Sequence, residues 1–443
     1  MAARRRLLVD ITPLRESRDY RYLFAGQAVA YLGSQLTVVA VPFQVYLLTR
    51  SSLAVGMIGL ASLVPLITMS LIGGSVADAI DRRKLLVGTQ AALGLTSSAL
   101  ALNAMASDSP PVWPLYVCAG LAAGLSGIDL PARSAILPNL VRREQYSSAS
   151  ALSQVLFQVG GVAGPALAGL IISNLGLAAA YWIDAATAVV AIASVLAIAP
   201  QPPHGGGTKA GLASIKEGLA YLKGRRLILS TFVIDINAMV FGMPRALFPA
   251  LGTGIYQGGA TTVGLLYAAP GAGALVGALL TGWVAHVRHQ GKAVIWAVIA
   301  WGGAIAAFGL TSWLPLGLLF LALAGAADVV SAVFRNTIMQ LSVPDALRGR
   351  LSSVHIAVVT GGPRLGDAEA GAVAAAATPQ FSVVSGGLAC IVGALAVAKL
   401  IPELADYDSK PPPYTGGREP DHRNGAGKAP NRAQLHSEEG RDG

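Results

Sequence analysis

Gly73-Gly74-Ser75-Val76-Ala77-Asp78-Ala79-Ile80-Asp81-Arg82-Arg83-Lys84 joins two apolar stretches, 53–76 and 85–106. Each is long enough to cross a bilayer, which takes about 20 predominantly apolar residues as a helix. The short connection therefore turns at a membrane surface. Its three consecutive basic residues mark that surface as the cytoplasmic one, since Lys and Arg are retained there. The glycines let a neighbouring helix come close, and an acid at a helix end can meet the positive N-terminus of another.

The same reading extends along the chain. Of 443 residues, 53% are apolar and 12% charged, half the roughly 25% charge of a soluble domain. That composition excludes an ordinary soluble enzyme. It also removes nucleic acid as the reason for the +9 net charge. Twelve apolar segments are predicted as spans, at 22–48, 53–76, 85–106, 112–139, 147–173, 177–199, 226–251, 260–286, 291–311, 314–342, 349–377 and 380–402. Pro42, Pro65, Pro165, Pro270 and Pro363 fall inside them, where neighbouring helices can satisfy the freed backbone groups. The first segment is a span, not a signal peptide. The basic N-terminus holds no short apolar stretch ending in a small-residue cleavage site, and the first apolar run is of full spanning length and is followed at once by another.

The expected fold is an all-α membrane protein of twelve transmembrane helices in two pseudo-symmetric six-helix bundles. A cytoplasmic arm (1–21) precedes the first bundle (22–199). A linker (200–225) begins Pro-Gly-rich and continues with Leu212, Ile215, Leu219 and Leu222 at helical spacing, which predicts a surface amphipathic helix. The second bundle is 226–402, and the Pro-, Gly- and charge-rich tail 403–443 is expected to be disordered. Of the 32 Lys and Arg, 27 lie in the arm, the linker, the tail and alternate loops. Arg50 stands alone in the other loops, and Arg133, Arg245, Arg335 and Arg364 lie inside spans. Both termini are thus expected in the cytoplasm. Cys118 and Cys390 sit in apolar runs as small buried residues, and no metal site or cofactor motif is present.

The halves repeat. The fourth span holds Asp129-x3-Arg133 and the tenth Asp328-x6-Arg335, spacings that both return to one helix face. Gly160-Gly161-x2-Gly164-Pro165 in the fifth is echoed by Gly361-Gly362-Pro363 in the eleventh. Parallel six-helix repeats suit a transporter that rocks one half against the other.

The loop carrying Gly74, Asp78, Asp81, Arg82 and Arg83 resembles the loop 2–3 signature of the major facilitator superfamily, with Ala79 and Asp81 departing from its usual residues. Gly160-x3-Gly164-Pro165-x3-Gly169 resembles that superfamily's antiporter motif, which implies an exporter exchanging its substrate for protons. Read from spacing alone, these small residues pack helices tightly. Gly271-x-Gly273-x3-Gly277 is likewise read as helix packing. Ala25-Gly26-Gln27, Val39 to Val45, Leu247-Phe248-Pro249-Ala250-Leu251, Gly264 to Pro270, Gly277 to His286 and Gly366-Asp367 resemble the enterobactin exporter branch, over residues 18–402.

Ionisable groups inside a bilayer are costly and are usually paired or functional. Six acids lie inside the spans: Asp129, Asp184, Asp235, Asp328, Asp367 and Glu369. Asp129/Arg133 and Asp328/Arg335 read as ion pairs or gate latches. Asp367, three residues after Arg364, leads as a proton-coupling residue, followed by Asp235 and Glu369. A permanent Asp367–Arg364 pair is the alternative. Gln27, Tyr31 and Gln35 with Gln154 and Gln158 read as a hydrogen-bonding substrate lining or as interhelical bonds. Arg245 can attract an anion. His355 reads as a packed residue.

The resemblance implies a proton-coupled, alternating-access exporter of a siderophore or similar secondary metabolite, acting as a monomer in a bacterial cytoplasmic membrane. Its partners are a small-molecule substrate, protons and the lipid bilayer, with no nucleic acid. A broad multidrug efflux antiporter and a non-transporting accessory protein are the rival readings. The repeat and the intramembrane acids speak against the accessory protein.

Overall fold

Apolar runs of this length satisfy their backbone groups internally only as helices, and the computed structural model is helical throughout its described spans. It describes residues 10–107, 109–202, 220–343 and 345–408. Within them the surroundings of some residues, Gly74 and the Asp78 side chain included, lie outside the description, as do 203–219 of the expected linker.

The N-terminal half holds α1 (Arg18–Thr49), α2 (Ser52–Ala79), α3 (Arg82–Ala106), α4 (Trp113–Leu140), α5 (146–175) and α6 (177–196). The last two form one continuous element broken only at Gly176, whose φ of 84° and ψ of 173° leave the helical region. A left-handed φ at that position suits glycine, which has no Cβ to clash. The C-terminal half holds α7 (Arg226–Phe241), α8 (Gly259–Leu279), α9 (Gln290–Leu310), α10 (Leu314–Ser342), α11 (Asp345–Ala376) and α12 (Pro379–Leu400).

Ten segments meet both the length and the apolarity of a membrane span. One of them is the α5–α6 element, and α11 stands outside the ten; it carries the most charge. Twelve long helices therefore account for the described residues.

α7 departs from a single straight span. It ends at Phe241, and Pro244 interrupts the backbone. A one-turn segment Arg245–Leu247, then Phe248–Ala250 and a wide turn Leu251–Ile255, complete the crossing. The break places Arg245 in a turn that packs against α2 of the other half and against α11.

Packing follows the repeat. α1 lies on α5 and α6, α2 on α4, and α3 on α4 and α6; α7 lies on α11 and α12, α8 on α10, and α9 on α10 and α12. Each half has its own apolar core, with Val39, Val45, Leu115 and Tyr181 in one and Leu247, Phe248, Phe308 and Phe334 in the other. Leu95, Leu102, Leu310 and Val392 are exposed around the outside, an apolar girdle suited to lipid. Cys118 and Cys390 are free and buried.

One expectation is corrected. Residues 403–408, assigned to a disordered tail, pack against the C-terminal half. Pro402–Ala405 is a short helix whose Leu404 is fully buried, Glu403 pairs with Arg226 at 3.7 Å, and Asp408 pairs with Arg288 at 3.0 Å. Leu404 anchors the segment; the sequence there is too short to show periodicity.

Candidate transport site between the two halves

The halves meet at two glycine crossings on the face away from the described terminal segments. On one, Gly169 of α5 lies against Gly264 of α8; a Cβ on Gly264 would stand 2.7 Å from Gly169 Cα and 2.5 Å from the Pro165 carbonyl. On the other, Gly371 of α11 lies against Gly56 of α2, where a Cβ on Gly371 would meet Gly56 Cα at 3.1 Å and the Ser52 carbonyl at 2.7 Å. Small residues are what permit backbones to approach this closely.

The two crossings are one motif used twice. Displaced by 202 residues, Gly160, Gly164 and Gly169 become Gly362, Gly366 and Gly371. The first of each set receives a side chain of its own half's leading helix, Tyr31 of α1 at Gly160 and Met239 of α7 at Gly362. The last of each set touches the opposite half. Gly164 gives room to Gln35 in the same way. The packing reading of Gly271, Gly273 and Gly277 agrees with the contacts: Gly271 faces Gly161 of α5, while Gly273 and Gly277 face Ala322 and Ala326 of α10.

Asp367 stands at the second crossing. Its carbonyl presses on Gly56 and its Cβ approaches the Cβ position of Gly59 to 3.1 Å. Its buried Oδ1 has no hydrogen-bond partner. Arg364 and Arg245 are in electrostatic reach, and the Ala246 amide lies beside the carboxylate. Among the described residues neither arginine has a carboxylate within 4.0 Å, so the Arg364–Asp367 ion pair is not closed. Tyr267 Oη donates to the Arg245 carbonyl at 3.1 Å and fixes that turn. Glu369, half-buried two residues on, has no such cluster around it.

Gln27, Gln35, Gln154 and Gln158 make no hydrogen bond to another described residue, and each is at least partly accessible. The interhelical alternative therefore has no support here. Tyr31 packs edge-on against Phe157 at 4.9 Å between ring centres.

The intramembrane ion pairs divide unequally. Arg133 Nε lies 2.5 Å from Asp129 Oδ2, and Thr89 and Gln90 donate to Asp129 Oδ1 at 3.0 and 2.9 Å. The expected Asp328–Arg335 pair is loose at 3.9 Å; the principal partner of Arg335 is Asp235 of α7 at 2.8 Å. Asp184, named only as an acid by sequence, accepts from Thr37 Oγ1 at 2.5 Å and Ser97 Oγ at 2.7 Å. His355 lies against the Phe232 ring.

The loop 2–3 residues tie the first half together at its terminal face. Asp81 caps α3 by accepting from the Arg83 amide at 2.9 Å. Arg82 Nη1 donates to the Ala135 carbonyl of α4 at 3.0 Å. Arg83 donates to the Val195 and Leu196 carbonyls at the end of α6, where a cation meets the negative end of the helix.

The halves thus meet at crossings of small residues, beside an intramembrane acid, Asp367, and a turn that carries Arg245. A family model described as transmembrane secretion effector matches residues 9–415. The chain belongs to this family of major facilitator transporters. It is 27% identical over 408 residues to the enterobactin exporter EntS of Escherichia coli (strain K12) and to that of Shigella boydii serotype 18 (strain CDC 3083-94 / BS512), covering 92% of this chain and 98% of each relative. The solved nucleoside transporter NupG superposes with a TM-score of 0.69 at 13% identity, over 88% of this chain and all of that one. That likeness concerns the fold. This secretion-effector transporter is a multi-pass membrane protein that moves a small molecule and is not an enzyme.

Gly56, Gly59, Gly371 and Ser331 were not singled out from sequence, and Gly264 and Tyr267 entered only within a stretch that carries the resemblance. Placing the glycine motif of α5 in register on α11 identifies Gly371 directly.

Proposed function

We propose that this transporter is a proton-coupled exporter of a siderophore or a similar secondary metabolite, working by alternating access in a bacterial inner membrane. Both termini lie in the cytoplasm, and the glycine crossings close the external face. Cargo then enters from the cytoplasmic side, between the Gln27, Gln35, Gln154 and Gln158 amides and the two free arginines.

The observation that carries the reading is Asp367. A buried acceptor without a partner, at the point where α11 presses on α2, is the place where a proton changes what holds the halves together. Antiport requires cargo and proton to compete. A deprotonated Asp367 accepts hydrogen bonds from hydroxyl or amide groups of the cargo, and a proton takes the same oxygen. Arg364 and Arg245 offset the carboxylate's charge while it waits and donate to cargo oxygens. A neutral, polyhydroxylated aromatic cargo meets all of these groups, with Tyr31 and Phe157 offering ring faces.

The test is uptake of iron-free enterobactin into everted membrane vesicles driven by an imposed pH difference. Wild type accumulates it and Asp367→Asn does not; undiminished pH-driven uptake by the variant overturns the role of Asp367. Deletion in the native host decides the cargo. Intracellular siderophore accumulating under iron limitation supports this reading, and unchanged siderophore secretion with new drug sensitivity replaces it with multidrug efflux.

A further inference from the structure

The repeat places Arg133 of α4 and Arg335 of α10 at equivalent positions, 202 residues apart, and their surroundings differ in one respect. Four residues before Arg133 stands Asp129; four before Arg335 stands Ser331, whose Oγ lies 2.7 Å from Arg335 Nη1. The acid for Arg335 comes instead from Asp235 of α7. In the same register Asp328 falls opposite Ser126, whose hydroxyl only closes on its own helix at the Ala122 carbonyl, 2.8 Å away. Asp328 is thus a carboxylate that the first half lacks.

One guanidinium therefore serves two acids. Its Nη2 is 2.8 Å from Asp235, which is 1% exposed, and 3.9 Å from Asp328, whose side chain is 32% exposed. Asp328 reaches a small pocket beneath the break in α7, together with Arg245, Phe248 and Trp301. Asp235 holds that guanidinium at close range and Arg245 is only in electrostatic reach, so among the described residues no cation lies closer to Asp328 than 3.9 Å. Such a poorly matched intramembrane charge is costly unless neutralised.

We propose that Asp328 is a proton-carrying residue of this transporter, distinct from Asp367, with Arg335 as the cation it shares with Asp235. A proton from cavity water binds a carboxylate oxygen of Asp328, and Arg335 then stays with Asp235, the unequal arrangement seen here. When Asp328 returns that proton to water, Arg335 is drawn between the two acids and pulls α7 and α10 into a different relation. The charged or titratable groups facing the site are Asp235 from α7, Arg245 from the turn after it, and His355 from α11, which has Arg335 in electrostatic reach. α8 and α9 offer Pro270, Trp301 and Ile305 to the pocket, none of which titrates there.

The consequence for transport rests on the exporter reading, but the site is tested without it. The purified full chain in lipid is titrated by infrared difference spectroscopy in the carbonyl region of protonated carboxylic acids. The proposal expects a component that is lost in Asp328→Asn, shifted in Asp328→Glu and retained in Asp367→Asn. A spectrum unchanged in Asp328→Asn overturns it. If the asparagine variant does not insert, Asp328→Glu decides, since an unshifted band has the same meaning. In proteoliposomes, pH-driven accumulation of iron-free enterobactin by Asp328→Asn falls about tenfold, within the usual range of coupling energies. Wild type without any pH-driven uptake overturns the exporter reading and leaves the infrared result to stand for the site alone.

Discussion

Asp129–Arg133 in the first half and Asp235–Arg335–Asp328 in the second occupy equivalent places in one repeat, yet they solve different problems. In the first, one cation meets one anion on the same helix, and Thr89 and Gln90 take up the remaining oxygen capacity. Both oxygens of that carboxylate are engaged, and what is left over is a donor, the buried Arg133 Nη1, which cannot take up a proton. In the second, the helical partner is a serine, the tight acid comes from another helix, and a third group waits at 3.9 Å. A filled pair fixes α4; an under-filled trio leaves α7 and α10 with two ways to share one guanidinium.

The largest expected effect breaks the filled pair. Asp129→Ala leaves Arg133 buried without its anion, and breaking a buried pair in this way costs about 3–5 kcal/mol. Asp328→Asn leaves Arg335 with Asp235 and costs less than about 1 kcal/mol. Thermal unfolding of both variants in detergent checks this, and equal losses erase the distinction between the halves.

Next come the crossings, where the halves are alike. Gly264→Ala sets a Cβ 2.5 Å from the Pro165 carbonyl, and Gly371→Ala one 2.7 Å from that of Ser52. Neither backbone partner can yield easily, so both variants lose external closure and transport falls at least about tenfold. Labelling of single cysteines placed beside each crossing reads the closure. An effect at one crossing only makes the gate asymmetric as well.

A smaller effect is expected at the terminal face. Arg83→Ala removes the cation at the end of α6 and costs about 0.3–1 kcal/mol, measured as a shift in melting temperature with transport retained. Smallest are the exposed pairs that fasten each terminal segment to its own half, Glu16–Arg142 and Glu403–Arg226. Glu16→Ala and Glu403→Ala each change stability by less than about 1 kcal/mol. A large loss from either marks that strap as part of the moving machinery.

Much of this was legible in the sequence because a bilayer imposes a length on every apolar run. The break between the fifth and sixth spans, the two bundles and the packing role of the α5 glycines all follow from composition and spacing. What escaped depends on which helix supplies a partner. Asp328 and Arg335 share a helix face at seven residues, which suggests a pair; that pair is present at 3.9 Å, but Arg335 lies closer to Asp235 of α7. Registering the repeat on Arg133 and Arg335 exposes the substitution of Ser331 for Asp129 and explains why. Asp184 gave no such clue, since Thr37 and Ser97 reach it from two other helices. The fold of 403–408 turns on one buried leucine.

The most direct test of the account follows protons while cargo moves. Purified transporter is reconstituted in vesicles containing a pH-sensitive dye, and a gradient of iron-free enterobactin is imposed with no pH difference at the start. The account predicts proton flow opposite to the cargo in wild type and its loss in Asp367→Asn. Cargo movement without opposing proton flow, or the same proton flow in the variant as in wild type, contradicts it.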